Sequence, residues 1–235
     1  MQDFTRLPVT ASLIAANLLV YLGVAALSAS AGVPWNIALV NQLGVVVENG
    51  ALVPVAVAQG EAWRLLTSIF LHSGLIHLAF NMVALYFLGT FAESAFGRWR
   101  FFALYVLSGL SGGLAYLYYQ AYLGDFTQPA VGASGAIFGL LGSILGYALR
   151  RGTFSWQNPL IRQLLILLAL NVYLGVSIPN ISNAAHMGGL AGGFAFGYLM
   201  APTVYTQKKL RSLTPVAIVL GAEFLLLALW RLYFA

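Results

Sequence analysis

The sequence predicts an all-α polytopic membrane protein, and three observations carry that prediction. Only 7% of the 235 residues are charged and 60% are hydrophobic, whereas soluble proteins carry about 25% charged residues. Mean hydropathy is +0.86. Seven apolar runs succeed one another along the chain, each close to the ~20 residues that a spanning helix needs. So few charges cannot cover the surface of a soluble chain of this length, which excludes a water-soluble enzyme, a nucleic-acid-binding protein and a disordered chain. The net charge of +5 is then a matter of topology, not of affinity for nucleic acid. Cysteine is absent, which removes disulfides, thiolate metal sites and a cysteine nucleophile.

The first run, 10–27, begins in MQDFTRLPVT. That segment lacks the basic, apolar, small-residue order of a cleaved signal, so the run is expected to stay in place. Residues 28–72 mix Gly, Pro and Asn with apolar residues; they are too broken to span and too apolar to stand free in water, and a structured loop at the membrane surface is expected. The second and third runs, 75–92 and 101–122, flank Arg98 and Arg100. The fourth, 134–149, ends at Arg150 and Arg151. The fifth, sixth and seventh cover 160–177, 184–201 and 215–234. Their connections are short and no repeat is evident, so one membrane domain over 1–235 is expected.

Orientation follows from Lys and Arg, which concentrate in cytoplasmic loops. Arg6, Arg98, Arg100, Arg150, Arg151, Arg162, Lys208, Lys209 and Arg211 fall on the side of the N-terminus, nine of the 11 basic residues; Arg64 and Arg231 fall on the other. The N-terminus is expected inside and, after seven crossings, the C-terminus outside. Helices two, four and six then all start at the outer face.

Polar groups inside a bilayer are costly and are functional candidates by default. The chain has three histidines, His72, His77 and His186. His77 and Asn81, four apart on helix two, share a face. Ser134 opens helix four within Gly132-Ala133-Ser134-Gly135, and His186 stands near the start of helix six. Taken singly these are weak signals: a serine at a helix start is more often a cap than a nucleophile, and a membrane Asn is usually helix–helix glue. Their common depth joins them. If Arg150, Glu93 and Pro202 mark the inner ends of the three helices, then Ser134, His77 and His186 each stand sixteen residues, about 24 Å, above that boundary. In a hydrocarbon core about 30 Å thick they share one level near the outer surface, with Asn81 a turn deeper.

A serine hydroxyl is a poor nucleophile until a base takes its proton, and either histidine can be that base. The second histidine and the Asn81 amide suit a developing oxyanion, as do the free N–H groups of the helix start at Ser134. Gly132 permits a sharp turn into the helix, and Gly135 permits close approach. None of the six acids is placed beside a histidine, so a Ser–His dyad is simpler than a triad. Phe138, one turn below Ser134, can stack on the imidazole or serve as an ordinary core aromatic. Gly135, Gly139, Gly142 and Gly146 on helix four, and Gly189, Gly193 and Gly197 on helix six, allow the close backbone approach that would bring His186 to Ser134.

Other chemistries fit less well. A nucleophile elbow needs a sheet and a glycine at 136, where Ala stands. A transporter needs polar groups along a pathway, and here they gather at one depth. A zinc site from the three histidines is disfavoured by the five-residue separation of His72 and His77. No metal and no cofactor is expected.

Together these residues resemble the rhomboid family of intramembrane serine proteases. The likeness covers roughly residues 61–200. It rests on Trp63-Arg64 in the first loop, on HSGLIHLAFN with His72, His77 and Asn81, on GASGAIFGLLG with Ser134 and Phe138, and on His186 with Gly189 and Gly193. The resemblance implies Ser134 as nucleophile, His186 as base, and His77, Asn81 and the Ser134 backbone N–H as oxyanion hole. It implies a six-helix rhomboid core, about 8–203, plus a C-terminal seventh transmembrane helix, about 214–235. Phe138 stands where the family often has Tyr. Transmembrane segments of other proteins are the implied substrates, and an inactive relative is disfavoured by the presence of both Ser134 and His186. Trp63 and Arg64 are expected to anchor the loop at the headgroups. His72 reads either as an interfacial histidine or as a support of the oxyanion site. Lacking long extensions or a transit peptide, the chain is expected in a bacterial plasma membrane.

Overall fold

The computed structural model describes residues 7–40, 42–177, 181–201 and 214–234. Arg6, Lys208, Lys209 and Arg211, used for the orientation, and Pro202, used for the depth, lie outside the described residues. Among the described residues the chain is helical throughout, in the order α1 (Pro8–Ser30), α2 (Trp35–Ala38), α3 (Leu43–Glu48), α4 (Pro54–Ala58), α5 (Arg64–Thr67), α6 (Leu75–Phe96), α7 (Arg98–Leu123), α8 (Ser134–Arg150), α9 (Pro159–Ser177), α10 (Asn183–Met200) and α11 (Thr214–Phe234). Each of the seven apolar runs forms one long helix. Five of these, α1, α6, α7, α9 and α11, are long and apolar enough to cross a membrane.

The remaining two, α8 and α10, owe their composition to where they sit. Nearly every residue of α8 is buried, so its outer surface meets other helices instead of lipid. Glycine then replaces leucine wherever backbones touch. A side chain at Gly189, Gly193 or Gly197 of α10 would collide with the carbonyl oxygens of Gly135, Gly139 and Ser143 on α8. Gly142 and Gly146 of α8 face the carbonyls of Leu190 and Phe194 in the same way. Small residues permit such approach between membrane helices, where dispersion contacts drive association.

Two local features set the remaining frame. Gly97, at φ 82, is the single residue between α6 and α7, and the left-handed region it occupies is open to glycine at little cost. At the same end of the molecule the buried Glu93 carboxylate accepts hydrogen bonds from the Thr10 hydroxyl (2.7 Å), the Thr10 N–H (2.7 Å) and the Val9 N–H (3.1 Å). It thereby caps the start of α1, where N–H groups have no helical partner. α6 itself runs on past Glu93 to Phe96.

Residues 31–40 and 42–74 form the structured loop expected from their composition, built from α2 to α5. Arg64 holds it together from inside. Its guanidinium donates to the carbonyls of Val47 (2.8 Å) and Ala51 (2.9 Å), its Nε to the Glu61 carboxylate, and it lies over the Trp63 ring at 4.9 Å. The expectation that Arg64 reaches the headgroups is thus corrected, because a buried guanidinium needs all its donors met by protein; Trp63 alone is half exposed. The loop also grips the segment ahead of α8. Leu52 and Ala130 exchange both backbone hydrogen bonds, Val55 N–H donates to Phe126, and Gly132 N–H to Ser68.

Candidate active site

Three helix beginnings converge. Ser134 is the first residue of α8, His186 the fourth of α10, and His77 the third of α6. Parallel α8 and α10, touching backbone to backbone, bring Ser134 Oγ to 2.9 Å from His186 Nε2. The cap position of α8 is held by Ala133, with no side-chain bond, so the Ser134 hydroxyl is used toward the imidazole and not as a cap. In α10 the cap is Ser182, whose hydroxyl accepts from Ala185 N–H at 3.2 Å. That cap fixes the first turn from which His186 projects.

The imidazole is held by its face. Phe138 stacks on it with ring centroids 4.2 Å apart and planes 9° from parallel. Among the described residues His186 Nδ1 has no hydrogen-bond partner, and no carboxylate among them orients the ring from behind. Both rings are buried.

Opposite, the segment ahead of α8 packs against the His77 ring. Gly132 adopts φ +126, and a Cβ placed there would meet His77 Nε2 at 2.8 Å and Asn81 Nδ2 at 3.8 Å. Any other residue at 132 would be strained and would collide with the His77 ring, two residues before Ser134. One Asn81 N–H is spent on the His77 carbonyl at 3.0 Å; an amide nitrogen carries two. His77 Nδ1, on the far side of its ring, meets the Ser73 hydroxyl at 3.1 Å.

His72 stands behind His77. Its ring is 1% exposed and lies edge-on to the His77 ring, centroids 5.1 Å apart. The reading of His72 as an interfacial histidine is corrected by that enclosure. The five-residue spacing failed to predict the ring contact because His72 precedes α6 and does not obey helical periodicity. Among the described residues neither His72 nitrogen makes a well-formed hydrogen bond. Burial first, and the neighbouring His77 second, push its pKa down to about 3, so the ring is neutral near pH 7.

Among the described residues, then, Ser134, His186, Phe138, His77, Asn81 and Gly132 come together, with His72 behind. Gly135 lies between the backbones of α10 and Gly112, while Trp63 and Arg64 belong to the loop. No cluster of three His, Cys, Asp or Glu side chains able to hold a metal occurs among the described residues. Sequence reasoning missed Ser73 and Ser182. Both were accessible: Ser73 is four residues before His77, and Ser182-Asn183 is a helix-start signal.

The sequence that carries these residues is similar to known proteins. The Rhomboid domain family fits residues 59–203. The chain is 41% identical over 138 residues to the rhomboid protease GluP of Bacillus subtilis (strain 168), covering 59% of this chain and 26% of that one. It is 39% identical over 153 residues to RHOMBOID-like protein 5 of Arabidopsis thaliana, covering 64% and 48%. YdcA of Bacillus subtilis is 37% identical over 161 residues, covering 67% and 74%. The match thus spans about half or less of the length of the first two relatives. The protein is an integral membrane protein, and it belongs to the rhomboid family.

Proposed function

We propose that the protein is an intramembrane serine endopeptidase that cleaves transmembrane segments of other membrane proteins near the outer face. One observation carries this reading: the 2.9 Å contact between Ser134 Oγ and His186 Nε2, made between two helices. Such a pair is the minimal device for activating a hydroxyl, and the family to which the chain belongs includes proteins named as proteases.

A substrate segment must first unwind, because a helix hides its carbonyls. His186 Nε2 then takes the Ser134 proton as Oγ bonds to the carbonyl carbon. The resulting oxyanion lies toward His77 Nε2, the Asn81 amide and the Ser134 N–H, donors already fixed in place before the reaction. As the C–N bond breaks, His186 gives the proton to the leaving amine. In the second half His186 takes a proton from water, the water oxygen adds to the ester carbonyl, and Ser134 leaves with the proton restored. Phe138 keeps the ring facing Ser134 throughout; a dyad suffices because stacking does the orienting that a carboxylate does in a triad.

We read the whole chain as one membrane domain, a core of about 8–203 with α11 added, in a bacterial inner membrane with the N-terminus cytoplasmic. The site then opens to the outer face, where water is at hand. No metal or cofactor takes part in the proposed cycle.

The test is reaction of the purified protein with a fluorophosphonate probe, beside Ser134→Ala and His186→Ala variants, and cleavage of a model transmembrane substrate in liposomes. Labelling and cleavage are expected only with Ser134 and His186 intact. Cleavage at near wild-type rate by Ser134→Ala would overturn the proposal.

A further inference from the structure

We propose that Ser73 is a positioning residue for His77: its hydroxyl donates to Nδ1 and holds the imidazole as the Nε2–H tautomer, aimed at the oxyanion. This rests on the protease reading for its consequence, though not for its geometry.

A neutral imidazole carries one proton, and the partner of one nitrogen decides where it sits. For His77 the two nitrogens face different surroundings. The Cε1–Nε2 edge faces Gly132, both atoms 2.8 Å from where a Cβ would stand. Nδ1 points back to Ser73 Oγ, 3.1 Å away. A serine hydroxyl can donate or accept, but only as donor does it leave the proton on Nε2, where an oxyanion needs it.

The backbone around Ser73 is fixed well enough for this task. Ser73 carbonyl accepts from Gln42 N–H at 2.9 Å, which ties it to the start of α3. At the next residue, a side chain on Gly74 would collide with the Val40 carbonyl, so the turn into α6 is pressed against the loop. On the ring's other flank, neutral His72 makes an edge contact and offers no hydrogen bond to compete. The loop thus reaches the His77 ring through Ser73.

The experiment compares Ser73→Ala, Ser73→Thr and wild type by cleavage kinetics and by 15N NMR of the histidines, with His77→Gln identifying the resonance. Ser73→Ala is expected to lower kcat on the order of tenfold with KM unchanged, less than outright loss of an oxyanion donor, and Ser73→Thr to restore most of it. Wild-type His77 should show Nε2–H, and Ser73→Ala a mixture of tautomers. A wild-type spectrum showing Nδ1–H, or an unchanged kcat in Ser73→Ala, overturns the inference. These outcomes are separable from failure of the protease reading, which Ser134→Ala reports, and the tautomer is read without any turnover.

Discussion

The phenyl ring of Phe138 lies flat on the imidazole of His186, 4.2 Å away, one turn along α8 from the hydroxyl that the same imidazole contacts. Ring pairs of this kind contribute about 0.5–1.5 kcal/mol beyond burial. If the stacking is what orients His186, its loss should appear in kcat at roughly two- to tenfold. Phe138→Leu is expected to show that loss with little change in KM, while Phe138→Tyr, which keeps the ring, stays within twofold of wild type. Cleavage assays of the three proteins in liposomes decide it: a Phe138→Leu enzyme as fast as wild type leaves stacking without a role.

The distance between Ser134 and His186 depends on how closely α8 and α10 approach, and Gly193 is where that approach is tightest. A Cβ there meets the Gly139 backbone, which cannot rotate aside as a side chain can. Gly193→Val must therefore push α10 away from α8. Misplacement by 1 Å can cost about a hundredfold in rate. The expected outcome is at least that loss of fluorophosphonate labelling, while circular dichroism still reports a helical protein. Gly221 of α11, around which a Cβ would find open space, is the control, and Gly221→Ala should be neutral.

His72 predicts an acid sensitivity of stability. Folded, its pKa is about 3; unfolded, it returns to about 6.5. Between those values the unfolded chain binds a proton that the folded one does not, so stability falls as pH drops from about 6.5 toward 3. The slope from this one group is at most about 1.4 kcal/mol per pH unit. His72→Phe keeps a ring and removes the titration. Melting temperatures in detergent at pH 7 and pH 5 should fall further for wild type than for the variant, and equal falls would show that His72 does not titrate on unfolding.

Much of this was legible in the sequence because a bilayer imposes simple rules. Uninterrupted apolar runs marked the long helices of the described residues to within a few residues, and glycines at intervals of four marked the α8–α10 contact. Ser134, His186, His77 and Asn81 could be picked out because polar groups are rare in apolar helices. What escaped was set by tertiary contacts. The cap that Glu93 makes on α1 is one such contact, since nothing local in the sequence signals it. Arg64 looked like a headgroup anchor because its carbonyl acceptors at Val47 and Ala51 lie 17 and 13 residues away. His72 lies outside helical periodicity, so its contact with His77 depends on a turn that the sequence does not display.

Arg64 also gives the loop a measurable weak point. Its guanidinium satisfies two carbonyls that otherwise lie inside residues 47–51, and hydrogen bonds from charged donors contribute about 1.5–3 kcal/mol each. Glu61 is partly exposed, so its loss of a partner adds little. Arg64→Ala should therefore lower stability by about 3 kcal/mol, and Arg64→Lys should recover less than half, because a single ammonium cannot reproduce the planar fork. Denaturation in a detergent titration measures both, and an Arg64→Lys protein as stable as wild type would show that charge alone suffices.

The seventh helix is expected to matter to the serine segment through Trp230. This side chain is wholly buried, among Leu52, Val57 and Leu65 of the loop and Leu114, Tyr116 and Leu117 of α7. Its ring also faces Phe126, centroids 6.5 Å apart. Phe126 is tied by its carbonyl to Val55 N–H, and four residues on Ala130 pairs with Leu52. Removing Trp230 thus opens a cavity under the stretch that leads into Gly132 and Ser134. Buried Trp→Ala changes cost about 3–5 kcal/mol, and the part that falls on this junction should release residues 126–133 first. Hydrogen exchange of Trp230→Ala is expected to speed up there and in residues 52–57, while the centre of α8, enclosed on all sides, stays protected. Uniform acceleration along the chain would mean instead that α11 stabilises the bundle as a whole and has no particular hold on the segment before Ser134.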